Sequence, residues 1–396
     1  MRLENQPWMQ AEATLAVMAA LKRAGGEDCA RFVGGCVRNG LMGKPVEDVD
    51  IATTLQPQAV IEALEAAGLK HVPTGIDHGT VTAIAQGQPF EITTLRRDVT
   101  TDGRNATVAF TDDWAEDAAR RDFRLNALYV DQAGQVFDPI GEGVADALAG
   151  RIVFVGDAET RIREDYLRIL RFFRFFAWYG QGEPDAAALA ACAALNEGMA
   201  RLSAERISKE LLKLLSARDP APAVRLMIET GVMDTFAPEA RNAERLAAIR
   251  YPDTILRLAA LLPDDAHLAR HFAERLRLSN ADRDRLAAAL AVEPPLPQTL
   301  DARSVRRSLY DIGLRAYADR LALSGRTVED TTGIAGDWAR PQLPIGGEDV
   351  VVLGIPKSRR VGELLRKVEA WWIENDFPDQ RREVLRKLSE IVSAGG

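Results

Sequence analysis

The sequence predicts an α+β N-terminal domain followed by an all-α remainder. Three observations carry this. Through residue 140 helix-type and strand-type patterns alternate. Beyond Gly150 the pattern is nearly all helical, and after residue 160 Ala, Leu, Arg and Glu are dense. The chain has 396 residues with 47% hydrophobic composition, enough for a large core and for two to three folding units.

The elements follow in order. Helices are expected over residues 8–24 and 57–67, and strands over 31–34, 48–53, 79–85, 90–96 and 125–131. Gln86-Gly87-Gln88 joins the third and fourth strands as a hairpin. Breaks fall at Gly180-Gln181-Gly182, Arg218-Asp219-Pro220, Glu293 to Pro297 and Arg340 to Gly347; the last two are the best domain seams. There is no tandem repeat and no low-complexity tract.

Composition removes several classes. No apolar run approaches the ~20 residues that span a membrane. The N-terminus carries Glu4 and Glu12 and no secretory apolar core. Cys29, Cys36 and Cys192 form neither a metal spacing nor an even disulfide set, so a reducing cytoplasm is expected. A net charge of −8 argues against a general polyanion binder. Basic residues nonetheless cluster at Arg120-Arg121, from Arg161 to Arg174, at Arg303-Arg306-Arg307 and at Lys357-Arg359-Arg360. The plain reading is that most of these are solvated helix faces, and for the last two clusters a functional reading stands level with it.

Chemistry concentrates near residue 40. Phe32-Val33-Gly34-Gly35-Cys36-Val37-Arg38 reads as a strand, a Gly-Gly turn and a helix. Its N–H groups and Arg38 suit a polyphosphate. Asp48-Val49-Asp50 then reads as a strand with both carboxylates on one face. Two carboxylates that close repel unless a divalent cation lies between them. A phosphate cradle beside them is what metal-assisted nucleotidyl transfer needs. Either motif alone is more simply a turn or a solvated strand end; their joint occurrence is informative.

These residues, with Leu41-Met42-Gly43-Lys44-Pro45 and Ile51-Ala52-Thr53, resemble the signature of the class II (bacterial-type) tRNA nucleotidyltransferases, which with bacterial poly(A) polymerases fall in the DNA polymerase beta-like superfamily. The resemblance is strong over roughly residues 30–215 and weak beyond. It implies a DNA polymerase beta-like nucleotidyltransferase head over 1–140, a helical neck over 141–215, a helical body over 216–297 and a helical, tRNA-binding tail over 298–396. One departure is visible: the family usually has Asp after the Arg, and this chain has Asn39.

The resemblance implies roles residue by residue. Asp48 and Asp50 would hold two Mg²⁺ ions, with Glu91 as a third carboxylate that takes a proton or completes the metal shell. Gly34, Gly35 and Arg38 would hold the nucleotide. Residues 97–113 would be the flexible loop that full CCA-adding enzymes retain; the plain alternative is a surface loop. Arg120-Arg121-Asp122-Phe123-Arg124-Leu125-Asn126-Ala127 is similar to a second signature, in which Arg121 holds phosphate and Asp122 and Asn126 suit ribose hydroxyls. Arg124 stands where Thr is usual.

Arg163-Glu164-Asp165-Tyr166-Leu167-Arg168 through Arg174 matches a third motif. Helical spacing puts Asp165, Arg168, Arg171 and Phe172 on one face. The plain alternative is an i,i+3 salt bridge worth a few tenths of a kcal/mol. The chemical reading is sharper. C and A each present an exocyclic amine beside a ring-nitrogen acceptor, whereas U and G present a carbonyl and a protonated nitrogen. An Asp that accepts and an Arg that donates therefore admit CTP and ATP and reject UTP and GTP. Arg171 and Arg174 continue the stripe into the nucleotide pocket.

In the tail, two glycine turns flank Lys357, Arg359 and Arg360, with a helix starting near Val361; this link is expected to meet a tRNA phosphate or to be a solvated turn. The four histidines read as structural, and His267 and His271 lack the acidic partners of a phosphohydrolase. The expected activity is template-independent addition of C, C and A to the tRNA 3′ end from CTP and ATP, with no membrane and no protein partner evident. The alternatives are a bacterial poly(A) polymerase, or a catalytically weak tRNA-binding protein on the same fold.

Overall fold

The computed structural model describes residues 1–4, 6–100, 107–326 and 338–394. The chain divides into two compact units, Met1–Pro238 and Glu239–Gly396. That boundary falls inside the segment expected as body.

The first unit opens with helices α1 (Pro7–Gln10) and α2 (Glu12–Gly25), then β1 (Ala30–Val33), α3 (Gly35–Leu41), β2 (Asp50–Thr53) and α4 (Pro57–Ala66). Strands β3 (Lys70–Gly75), β4 (Thr80–Ala85), β5 (Gln88–Thr94), β6 (Arg96–Thr100) and β7 (Thr107–Phe110) follow. Next come α5 (Trp114–Ala119), β8 (Tyr129–Val130), β9 (Val136–Phe137) and α6 (Gly143–Ala149). The unit closes with α7 (Ala158–Glu164), α8 (Leu167–Tyr179), α9 (Ala186–Ala194), α10 (Ala204–Leu215) and α11 (Ala221–Glu229).

Among the described residues the main sheet has seven strands in the order β3-β4-β5-β2-β1-β8-β9. Only β2 and β5 pair in parallel; this crossover places Asp50 opposite Glu91. Phe32, Ile51, Val81, Phe90 and Ile92 are fully buried in the sheet, as are Val17, Leu21 and Leu64 of α2 and α4. Ala52 belongs instead to a cluster with Val33, Leu95, Ala118, Ala127 and Tyr129. Alternation along β2 thus separates Ile51 from Asp50 and Ala52, and the carboxylate shares its face with the second cluster.

Several expectations are corrected. The strand expected over 48–53 begins only at Asp50, so Asp48 stands in the preceding loop. The antiparallel ladder pairs Phe32 with Ile51, and β1 ends at Val33. Where the chain turns at Gly34, the earlier residues lose their partner strand. The segment expected as a strand over 125–131 is a short 3₁₀ turn, Arg124–Asn126, followed by the two-residue β8. Pattern reading also missed β3, whose burial does not alternate. The loop expected over 97–113 is in part the hairpin β6–β7, which pairs Arg96 with Phe110. Residues 101–106 of that segment, including Asp102, Gly103, Arg104 and Asn105, lie outside the described residues.

The second unit is helical: α12 (Ala243–Ala248), α13 (Thr254–Leu261), α14 (Ala266–Arg275), α15 (Asn280–Ala289), α16 (Ala302–Leu323), α17 (Gly347–Val352), α18 (Arg359–Glu374) and α19 (Arg381–Ala394). Asp253, Asp265, Ser279 and Asp301 cap the N-termini of α13 to α16 with side-chain oxygens. Arg285 ties Asp253 to Asp319 at 2.8 Å each. The last three helices enclose Val350, Leu364, Val368, Trp372, Val384 and Leu388. His267 and His271 sit on α14, where the main-chain N–H of His267 is taken by Asp265. Among the described residues no helix is long and apolar enough to cross a membrane.

Candidate active site

The site begins where β1 ends. Gly34 has φ +70°, the left-handed region that L side chains avoid, and this lets the strand turn directly into α3. A side chain there would also approach Arg121, whose Nη1 lies 3.6 Å from an ideal Cβ. Asp48 is exposed and Asp50 half-buried, with buried Val49 anchoring the chain between them. The Asp50 carboxyl is pushed up to about 6, first by burial, then by the negative charges of Glu91 and Asp48; Arg121 and Arg38 oppose the rise. Glu91 on β5 and Asp48 in the loop thus both bear on the Asp50 carboxyl. Among the described residues no group of three or more His, Cys, Asp and Glu side chains stands ready as a metal-ligand set.

Arg38 lies 7% exposed in α3 with every side-chain nitrogen engaged. Nη1 donates to Asn126 Oδ1 (2.6 Å), Nη2 to Tyr179 Oη (2.7 Å), and Nε and Nη2 to Asn39 Oδ1 (3.1 and 2.9 Å). The guanidinium also stacks on the Tyr179 ring at 4.0 Å. Asn126 Nδ2 donates to Asp122 Oδ1 (3.0 Å), and Asp122 Oδ2 takes Arg171 Nε (2.8 Å) and Nη2. A polar relay thus runs from Asn39 through Arg38, Asn126 and Asp122 to Arg171 on α8. Burial alone would raise the Asp122 carboxyl, but Arg171 and Asn126 bring it down to about 2.

Asp117, which pattern reading missed, holds the double arginine. It is 1% exposed. Its Oδ1 accepts from Arg120 (3.0 and 2.7 Å), and its Oδ2 from Arg121 Nη2 (3.0 Å) and from Tyr129 Oη (2.7 Å). Its spacing, three and four residues before the two arginines on a helical pattern, was the available signal.

Asp165, Arg168, Arg171 and Phe172 do not share one continuous helix. Asp165 lies in the break between α7 and α8 with extended backbone, and its Oδ1 accepts from Leu167 N–H (3.1 Å). Tyr166 fixes the break: its ring lies so close to Gly198 that an added Cβ there would sit 1.8 Å from it. The salt bridge weighed as the plain alternative does not form. Asp165 pairs with Arg206 at 2.7 Å, and Arg168 pairs with Glu164 while donating to the Arg161 carbonyl (2.8 Å). Arg174 pairs with buried Glu210 at 2.5 Å and stacks on Phe175. Arg206 and Glu210 lie on α10 and were not legible as site residues.

A cavity of about 610 Å³ takes in part of this set, while Glu91, Arg121, Asp165, Arg168 and Arg171 do not line it. Gly35, Arg38, Asp48, Asp50, Arg174 and Trp178 line it, with Lys44 and Lys213 at its walls. Lys44 Nζ donates to the Trp178 carbonyl (2.6 Å), which joins the loop before β2 to the end of α8. A cavity of about 630 Å³ near the N-terminus holds none of the predicted residues. Cys36, whose thiol burial pushes up to about 12, is inert packing beneath the turn. The tail residues Lys357, Arg359 and Arg360 are exposed in the second unit; Lys357 pairs with Glu348 (3.0 Å) and Arg359 with Glu363 (3.4 Å).

The chain is similar to known proteins along most of its length. Residues 30–153 match the family described as poly A polymerase head domain. Residues 183–244 match a probable RNA- and SrmB-binding site of polymerase A. The chain is 32% identical over 391 residues to the mitochondrial CCA tRNA nucleotidyltransferase 1 of Mus musculus, covering 91% of this chain and 86% of that protein. It is 34% identical over 401 residues to the CCA-adding enzyme of Geobacillus kaustophilus, covering 96% of each. The crystal structure of the Bacillus stearothermophilus CCA-adding enzyme in complex with CTP matches with a TM-score of 0.79 at 27% identity over 99% of both chains. With the carboxylates of β2 and β5, the Gly-Gly turn and the arginine-bearing α8 in place, this likeness along nearly the whole length shows that the chain belongs to the family of CCA-adding tRNA nucleotidyltransferases.

Proposed function

We propose that this chain is a nucleotidyltransferase that adds C, C and A to the 3′ end of tRNA from CTP and ATP, without a nucleic-acid template. The observation that carries the reading is the register of β2 against β5, which sets Asp50 opposite Glu91 beside the turn that leads to Arg38. Family enzymes of this kind generally need a divalent metal. The chemistry of the donors suits Mg²⁺: Asp48, Asp50 and Glu91 are hard oxygen donors, and a cation would offset the burial and the carboxylate repulsion that hold the Asp50 carboxyl up. A bound divalent cation there would favour ionisation of the attacking 3′-hydroxyl and neutralise charge on the leaving pyrophosphate.

The remaining parts belong to the chain's own side chains. Arg121, oriented by Asp117 and facing Gly34, holds phosphate, and Gly34, Gly35 and Arg38 form the wall beside it. Asp122 has both oxygens filled, so Asn126, which keeps one N–H and one lone pair, meets the ribose while Asp122 orients it. Asp165, held by Arg206, accepts from the base amine, and Arg168 donates to the ring nitrogen, with Arg171 and Arg174 behind them. We keep head, neck, body and tail at 1–140, 141–215, 216–297 and 298–396, and assign Lys357, Arg359 and Arg360 to tRNA. Free, buried cysteines suit a reducing cytoplasm.

Incubating the protein with tRNA ending at the discriminator base and single or paired nucleotides tests the reading. CTP alone should add two residues, and CTP with ATP three, with growth then stopping. A long adenylate tract would instead identify a poly(A) polymerase, and no Mg²⁺-dependent labelling would identify a binding protein.

Base choice gives a sharper result. Asp165→Ala should raise UTP and GTP misincorporation relative to CTP and ATP by about tenfold or more, the size of one lost bidentate contact. Full retention of C and A preference would move base reading elsewhere. In the tail, Arg359→Ala with Arg360→Ala should weaken tRNA binding and reduce its log–log salt slope by roughly one to two, for two lost phosphate contacts. CTP affinity should stay constant. An unchanged slope would return the segment to a solvated turn.

A further inference from the structure

Asn39, the position at which this chain departs from the family's usual Asp, closes the last turn of α3 with contacts in two directions. Its Oδ1 accepts from Arg38 Nε and Nη2 at 3.1 and 2.9 Å. Guanidinium nitrogens only donate, so this fixes which end of the amide faces Arg38. Nδ2 is thereby turned outward, where it donates to the Pro45 carbonyl at 2.7 Å. The Asn39 carbonyl accepts from Lys44 N–H at 2.8 Å. Both outward contacts land on the loop that carries Asp48. Asp48 is exposed, and the next fixed point is buried Val49.

We infer that Asn39 is a positioning residue whose amide N–H ties the Asp48 loop to the buried Arg38 relay, and that the tie requires the neutral side chain found here. A carboxylate would keep Arg38 but set its second oxygen against the Pro45 carbonyl. Two acceptors cannot hold a 2.7 Å separation without a proton between them, so the loop would have to move. Neutrality has a second effect. Among the described residues the side-chain partners of Arg38 are Asn39, Asn126 and Tyr179, none of them a carboxylate, so no direct ion pair there cancels its charge beside the cavity it lines with Asp50. Through Tyr179 the same relay reaches the end of α8, which Lys44 also grips through the Trp178 carbonyl. Asn39 thereby sets the carboxylate loop in register with the helix that carries the base-reading arginines.

This inference rests on the reading of Asp48 as a metal ligand, and the test separates the two. Mn²⁺ binding to the full-length protein without nucleotide is measured by electron paramagnetic resonance for wild type, Asn39→Asp, Asn39→Ala and Asp48→Ala, with melting temperatures alongside. Both Asn39 variants should bind Mn²⁺ about tenfold more weakly, as for a lost partner behind a metal ligand. They should lower kcat for CTP incorporation more than they raise the KM for tRNA. The Asp variant is decisive, because a carboxylate added near the site would by charge alone tighten Mn²⁺. Asn39→Ala removes the tie without adding charge and carries the test should the Asp variant fold poorly. Weakened Mn²⁺ binding in Asp48→Ala with wild-type affinity in both Asn39 variants would overturn the role of Asn39 and leave the Asp48 assignment standing. Wild-type affinity in Asp48→Ala would overturn both.

Discussion

Asp50→Asn should lower nucleotide incorporation by about two orders of magnitude or more and, at the same time, make the ligand-free protein more stable above pH 7. The first effect is the usual size for lost transition-state electrostatics. The second follows from burial and from the neighbouring Glu91 and Asp48, which lift the folded-state carboxyl from 3.8 to about 6. The native state then holds the proton more tightly than the unfolded chain. Stability falls as pH rises between these two values, and the full penalty stands above about pH 6. It is on the order of 3 kcal/mol. Asparagine removes the charge, so the melting temperature should rise by several degrees at pH 7.5, at roughly 2–4 °C per kcal/mol for a unit of this size. Below about pH 3 both states are protonated in the wild type, and the gain should vanish. Differential scanning calorimetry at pH 3, 6 and 7.5 measures this. An equal gain at all three pH values would show that the charge is not its source, and activity within about tenfold of wild type would remove Asp50 from the catalytic set.

Asp117→Ala should be the most destabilising single change near the site, by about 3–5 kcal/mol, because it leaves buried cations without their counter-charge. Burial alone would raise this carboxyl, yet Arg121 and Arg120 bring it down to about 2. A folded-state value below the unfolded one contributes stability above about pH 4, and that contribution is lost as pH falls through about 2. Asp122 behaves alike. Urea unfolding should therefore show a large Asp117→Ala deficit at pH 7 that shrinks toward pH 2. Arg121 would lose its anchor as well, so the KM for CTP should rise in whatever fraction stays folded. A stability change under about 1 kcal/mol at pH 7 would mean that water replaces Asp117 at little cost.

The sequence by itself determined the order of chemistry along the chain. Gly34-Gly35 before a helix, Asp48 and Asp50 two apart, and the arginine stripe ending at Arg174 are all local patterns, and local patterns survive without knowledge of the fold. Composition likewise separated the mixed N-terminal region from the helical remainder. Tertiary structure decided which residues face which. The parallel pairing of β2 with β5 makes Glu91 the neighbour of Asp50, and no periodicity encodes a crossover. The end of β1 at Val33 leaves Asp48 without a partner strand, so the two aspartates are joined by a loop rather than by alternation. Asp165 and Arg168 carry the spacing of a salt bridge, but the break at Tyr166 gives Asp165 to Arg206, forty-one residues away, and Arg168 to Glu164. Asn39 stood out in the sequence only as a departure from the family's usual Asp, and Asp117 only by its helical spacing to two arginines; the partners each one holds are set by packing. A carboxylate or an amide becomes a structural hub only when water is removed from around it, and that happens only after distant segments have packed together.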